Sequence, residues 1–274
     1  GKDAQVVSRG GGWAELEQRR LAKEGKTMPI GALDYSGSMG AEQAPWLALL
    51  EEGALPCPSP DEAPVSYMVG PVWRKLLEAS VASGASSHWY GYLHLGIMRF
   101  YEGDVQGAVE AWKASLEKAP SCWALRNLAA ACRLEKDTQG AADYLVQAMA
   151  VKNDVERLAV ECAKALLEAG RPQELIEVME KAPAWIRGRG RVRFLLTSAY
   201  LEVGRVDEVI AALEEGIEVD DMREGEVTLT DLWFKAQCMR ISRQEGIPND
   251  EALRARVEKE VPPPAHIDFR MKIQ

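Results

Sequence analysis

The sequence predicts an all-α protein built as an array of antiparallel helix pairs. Three observations carry this expectation. Apolar residues recur at helical spacing through most of the 274 residues. A helix–turn–helix pattern closed by a proline runs from Tyr92 to Pro120. That pattern then returns at intervals of 33 and 34 residues, the mark of a repeat architecture.

Residues 1–87 precede the repeats and read as capping helices joined by loops. WAELEQRRLAKEG (from Trp13) and EQAPWLALLEEG (from Glu42) are helical patterns that stop on glycine. GPVWRKLLEASVASG (from Gly70) is a third, with Pro71 suited to a first turn. MPIGALDYSGSMG, with three glycines, and LPCPSPDEAPVSY, with four prolines, are irregular surface connections. Long loops of this kind tend to cover a neighbouring part of the molecule.

Residues 88–221 carry the repeat. In YLHLGIMRFYEGDVQGAVEAWKASLEKAP (from Tyr92), the first helix places Tyr92, Leu95, Gly96 and Arg99 on one face, and the second places Ala108, Trp112, Ser115 and Leu116. A shift of 33 brings Leu128, Ala129, Lys136-Asp137, Ala141, Leu145 and Ala148 into the same places; further shifts of 34 land on Gly170 and then Gly204. Four units in phase resemble the tetratricopeptide repeat, and that resemblance implies a right-handed superhelical array. The small residue after Leu95 lets two helices approach, with Ala108 doing the same from the other side, and Pro120 ends the unit. The later units are degenerate: Leu175 and Val209 replace the small Ala, and KAPAW at Lys181 cuts the third unit short. Trp89, Tyr92, Phe100 and Tyr101 read as packing residues, His88 as a helix start, and His94 as pointing into the inner groove.

Residues 222–274 supply a closing cap. TLTDLWFKAQCMRISRQEG (from Thr228) is an amphipathic helix capped at Thr228 or Thr230, and NDEALRARVEKEV a second one capped at Asn249. Pro262 to Pro264 then stop the helix, and alternation of Ile267, Phe269 and Met271 suits an extended tail. The runs APWLALLEEGALP, YLHLGIMRFYEGD, PSCWALRNLA and PPPAHIDFRM also resemble the C-terminal helical region of large, uncharacterised bacterial proteins. The N-terminal parts of those proteins are β-rich and similar to carbohydrate-processing enzymes. That resemblance, with a start lacking an initiator Met, reads as a fragment whose missing upstream part carries any catalysis.

Charge and motif content narrow the function. A net charge of −9 with a pI near 5.1 argues against a general nucleic-acid binder, and no apolar run reaches a membrane-spanning length. The five cysteines show no CxxC spacing, which suits a reducing cytoplasm rather than a disulfide scaffold or zinc site. With three histidines, no HExxH, no GxSxG and no phosphate-binding loop, the expectation is no catalytic residues, no metal and no cofactor.

Tetratricopeptide arrays bind extended segments on the first helix of each unit. Placed on that geometry, the candidate groove residues are Tyr90 and His94; Trp123, Arg126, Asn127 and Arg133; Arg157 and Lys164; and Arg191. The five basic members form a cationic set in an acidic chain, suited to a carboxylate or to pairing with Glu on neighbouring helices. Some members of that family clamp a C-terminal carboxylate with Lys, Asn and Arg. Asn127 and Arg157 match two of those places, whereas Leu93 and Ile97 depart from the other two. Arg187-Gly-Arg-Gly-Arg191 is a short basic loop that says little in this background. The expected role is a non-catalytic module holding a protein or peptide segment; the alternative is a helical accessory domain docked on its own upstream, carbohydrate-active part.

Overall fold

The structure, a computed structural model, describes residues 11–28, 36–219 and 228–268. Every regular element among them is helical. Three helices come first: α1 (Gly11–Lys23), α2 (Ala44–Glu52) and α3 (Pro71–Ala82). Next come α4 (Trp89–Tyr101), α5 (Val105–Lys118), α6 (Cys122–Leu134), α7 (Thr138–Val151), α8 (Glu156–Glu168) and α9 (Pro172–Glu180). A short α10 (Ala184–Arg187) precedes α11 (Gly190–Glu202) and α12 (Val206–Glu215); α13 (Thr228–Glu245), α14 (Glu251–Glu260) and a 3-10 turn at Ala265–Ile267 close the chain.

The sequence period is written into the backbone. α4, α6, α8 and α11 are each 13 residues long. Each is followed by one residue in the left-handed region: Gly103 (φ 85°), Lys136 (φ 62°), Gly170 (φ 68°) and Gly204 (φ 77°). The next amide then reaches back five residues to a carbonyl of the helix it has left. These bonds are Asp104 to Arg99 (2.9 Å), Asp137 to Cys132 (2.9 Å), Arg171 to Leu166 (2.8 Å) and Arg205 to Tyr200 (2.8 Å). A left-handed residue plus that bond satisfies carbonyls that a helix end leaves open and turns the chain into the next helix.

Contacts divide the chain into two compact units, Gly1–Ala131 and Cys132–Gln274, so the boundary falls near the end of α6. In the first unit α1 packs on α2, α2 on α3, α3 on α4 and α4 on α5. Its core holds Trp46, Leu77, Leu93, Met98 and Trp112. Gly96 earns its place sterically, because a Cβ there would sit 2.3 Å from Trp112 Nε1. That indole instead donates to the Leu93 carbonyl at 3.1 Å. Ala108 is fully buried opposite, as its small size predicts.

In the second unit α8 packs on α7, α9 and α11, and α11 also contacts α9, α12 and α13. α9 ends at Glu180 and Pro183 precedes α10, so KAPAW does shorten the third pair. The closing helices bury Leu229, Phe234, Leu253, Val257 and Ile267 with Val209 and Leu213 of α12.

Several expectations need correction. Tyr101 is 69% exposed rather than packed, because it lies at the last residue of α4 beside the turn. Asp250, not Asn249, caps α14: its Oδ1 accepts from the Leu253 amide at 3.0 Å. Thr230 does not cap α13, since its hydroxyl donates to the Ile267 carbonyl at 2.7 Å, and the side chain of Thr228 lies outside the described residues. Ile267 belongs to the 3-10 turn and is fully buried, so it does not begin an extended strand. Phe269 and Met271 lie outside the described residues.

Candidate functional site

Within the first unit, the groove residues expected on α4 are covered. Tyr90 is 2% and His94 0% exposed, so on α4 neither reaches solvent. The cause is the proline-rich segment after Gly53. Ser86 Oγ accepts from the Leu55 amide (2.8 Å) and contacts Ser80 Oγ (2.6 Å), fixing the start of the segment. Trp89 Nε1 then donates to the Pro58 carbonyl (2.8 Å), Val65 gives a backbone hydrogen bond to the Tyr90 hydroxyl, and Trp46 Nε1 donates to Ser66 Oγ (3.1 Å). Burial pushes the Tyr90 hydroxyl up to about 12.

His94 ends inside an aromatic cluster. Its ring centroid lies 4.3 Å from Tyr90 and 4.9 Å from Trp46, both near perpendicular, and 5.8 Å from Tyr67 of the segment. Neither ring nitrogen has a hydrogen-bond partner among the described residues, and burial depresses the ring to about 3. Trp123, Arg126 and Asn127 on α6 are half-buried, and the Trp123 indole N–H is also without a partner among the described residues. Burial raises the Tyr67 hydroxyl while the Arg126 charge lowers it.

In the second unit the structure brings Arg157, Lys164 and Arg191 together. They line a cavity of about 1040 Å³. α8 supplies Arg157, Val160, Glu161 and Lys164, residues whose helical spacing places them on one face. The start of α11 supplies Gly188 to Arg191 and Arg193, the segment after α12 supplies Glu215 to Val219, and His266 closes one side. Arg133, the remaining member of the second unit, donates from Nη2 to the Glu161 carbonyl at 3.3 Å.

The charges in this cavity are unequally committed. Arg189 pairs with Glu156 at 3.1 Å, and Arg193 pairs with Glu215 and donates to the Gly216 carbonyl at 2.9 Å. Arg157 and Lys164 are exposed and make no ion pair among the described residues. They stand two turns, about 10 Å, apart along one face of α8.

Sequence reasoning missed Arg189, Arg193, Glu215, Gly216 and His266. The signal it passed over was Gly190 inside the basic run, since glycine there marks a close approach. A Cβ on Gly190 would lie 1.6 Å from the Glu218 carbonyl oxygen. His266 donates from Nε2 to the Leu213 carbonyl at 2.9 Å, a carbonyl being acceptor only, and so holds the closing turn against α12. No sequence pattern announces that pairing.

Among the described residues, no group of three His, Cys, Asp or Glu side chains could hold a metal ion, and no helix is long and apolar enough to cross a membrane. No protein-family model matches the chain, and no curated protein matches it.

Proposed function

We propose that this chain is a non-catalytic interaction module, a tetratricopeptide-like array of right-handed superhelical pitch, whose second unit holds a carboxylate-bearing segment of a protein partner. The observation that carries the reading is the pair Arg157 and Lys164. Both line the large cavity, both are exposed, and neither has an ion-pair partner among the described residues, whereas Arg189 and Arg193 beside them are paired. An unpaired guanidinium offers two parallel N–H donors to a carboxylate, and an ammonium adds a point charge along the chain. The recurring turn geometry supports the repeat reading.

A library of peptides with free C-termini, and the same library amidated, tests it. The chain should retain acidic or free-carboxylate members, with affinity falling as salt rises. Arg157→Glu with Lys164→Glu should abolish retention while leaving the helical circular dichroism unchanged. Equal retention by the parent and the folded double variant would remove the reading.

A further inference from the structure

The first unit holds a device that the cavity of the second does not involve. Residues 56–67 run across the aromatic face of α4, tied at one end by the buried Leu55–Ser86 bond and at the other by Gly70, whose φ of 124° lets the chain turn into α3. Pro56, Pro58, Pro60 and Pro64 lack amide donors, and Val65 and Tyr67 stay 54% and 52% exposed. The segment is a covering laid on a finished face, held by a few side-chain hydrogen bonds. What it covers is unfavourable: a fully buried imidazole with no hydrogen-bond partner among the described residues. A donor stranded in this way is unfavourable, and the perpendicular Trp46 and Tyr90 rings offset only part of the loss.

We propose that residues 56–67 form a displaceable strap over the aromatic face of α4, and that protonation of His94 releases it.

The rings facing His94 are Trp46 from α2, Tyr90 from α4 and Tyr67 from the strap. The titratable ones are two tyrosine hydroxyls, with the Arg126 charge acting on Tyr67. None of these gives an imidazolium a counter-charge while the strap is closed. Once Tyr67 leaves, water reaches the ring, and Trp46 and Tyr90 remain to make cation–π contacts with it. His88 adds a smaller push. Its Nδ1 accepts from the Gly91 amide (3.2 Å), so the proton sits on Nε2, which donates to the Leu55 carbonyl at the root of the strap (3.2 Å). A second proton on Nδ1 would end the cap at the positive end of α4, and burial already holds this ring below its ordinary value.

The sign follows from linkage. Both histidines are depressed in the closed state, so closure is unpenalised above the ordinary histidine value and weakens as pH falls toward the closed-state value. A ring moving between about 3 closed and 6.5 open shifts the open-to-closed ratio up to about thirty-fold between pH 7.5 and pH 5.

The test uses the full chain carrying Cys132→Ser, with bimane on the exposed Cys57, next to the Pro58 carbonyl that Trp89 holds. Contact with Trp89 quenches the label in the closed state, and Trp89→Phe sets the unquenched level. Fluorescence should recover on acidification to pH 5 with helical circular dichroism intact, and His94→Phe should remove most of that recovery. Tyr67→Ala should unquench the label at pH 7.5 and raise the His94 pKa, read by NMR of the ring protons, toward 6.5. If the label stays quenched at pH 5 in the folded parent, or the His94 pKa in Tyr67→Ala stays near 3, the strap is a fixed part of the fold and the proposal is wrong.

Discussion

Lys136 shows how far one residue can stand from what its backbone asks. Gly103, Gly170 and Gly204 hold the equivalent turns, and Lys136 adopts the same left-handed geometry with a side chain attached. That geometry costs an L-residue about 1–2 kcal/mol, while glycine adds back roughly 0.4–1 kcal/mol of unfolded-state freedom. Lys136→Gly is therefore expected to stabilise the protein by about 0.5–1 kcal/mol, read as a higher denaturant midpoint at unchanged slope. Gly103→Ala and Gly170→Ala should destabilise, and there the backbone is the whole cause, since a Cβ at either position meets nothing within 4 Å. At this scale the sequence was readable wherever a residue's role is local: Gly96, Ala108 and the Gly-Asp turn all do what their size and flexibility suggest. It was unreadable for His94 and Tyr90. Their positions on α4 match a groove face, and what reverses their exposure is a segment some thirty residues upstream whose prolines specify an extended shape but not a resting place.

Among the elements, the four second helices solve one problem in two ways. α5 and α7 begin with an aspartate whose Oδ1 accepts from the amide three residues on, Asp104 from Gly107 (2.9 Å) and Asp137 from Gly140 (2.8 Å). α9 and α12 begin after an arginine that pairs with a glutamate three residues on, Arg171 with Glu174 (2.6 Å) and Arg205 with Glu208 (2.8 Å). Neither arginine side chain caps its helix by a hydrogen bond, whereas the aspartate satisfies one first-turn amide directly. Asp104→Ala and Asp137→Ala should thus each cost about 1 kcal/mol, with Asp104 slightly the costlier at low salt because Arg74 also lies 3.8 Å from it. Arg171→Ala and Arg205→Ala should cost less than either at high salt, where exposed ion pairs are screened. Chemical denaturation of the four variants at two salt concentrations separates these outcomes. The period and helix bounds were legible because they rest on apolar spacing and turn residues. The junctions of α11 with Glu218 and of α12 with His266 were not, because they join segments distant in sequence without a local pattern.

For the molecule as a whole, the five free thiols report on packing without disturbing it. Cys57 is exposed and Cys132 half-buried, while Cys122, Cys162 and Cys238 are 1%, 0% and 2% exposed. Burial pushes the Cys162 thiol up to about 12 and raises Cys132 and Cys238 as well, so the reactive thiolate is scarce wherever the chain is packed. Native alkylation at pH 7.5 should add one label quickly at Cys57 and a second slowly at Cys132. The other three should react only as helices open, and their order tests the architecture. In an array, each helix pair is held by its neighbours, stability is close to a sum of local interfaces, and the ends give way first. Cys162 lies in α8, packed by α7, α9 and α11, whereas Cys238 lies in α13 near the end of the chain. Rising denaturant should therefore expose Cys238 before Cys162, with peptide mapping by mass spectrometry to assign each label. A single shared midpoint for both would mean that the helices unfold as one cooperative core, and the array reading would lose its energetic basis.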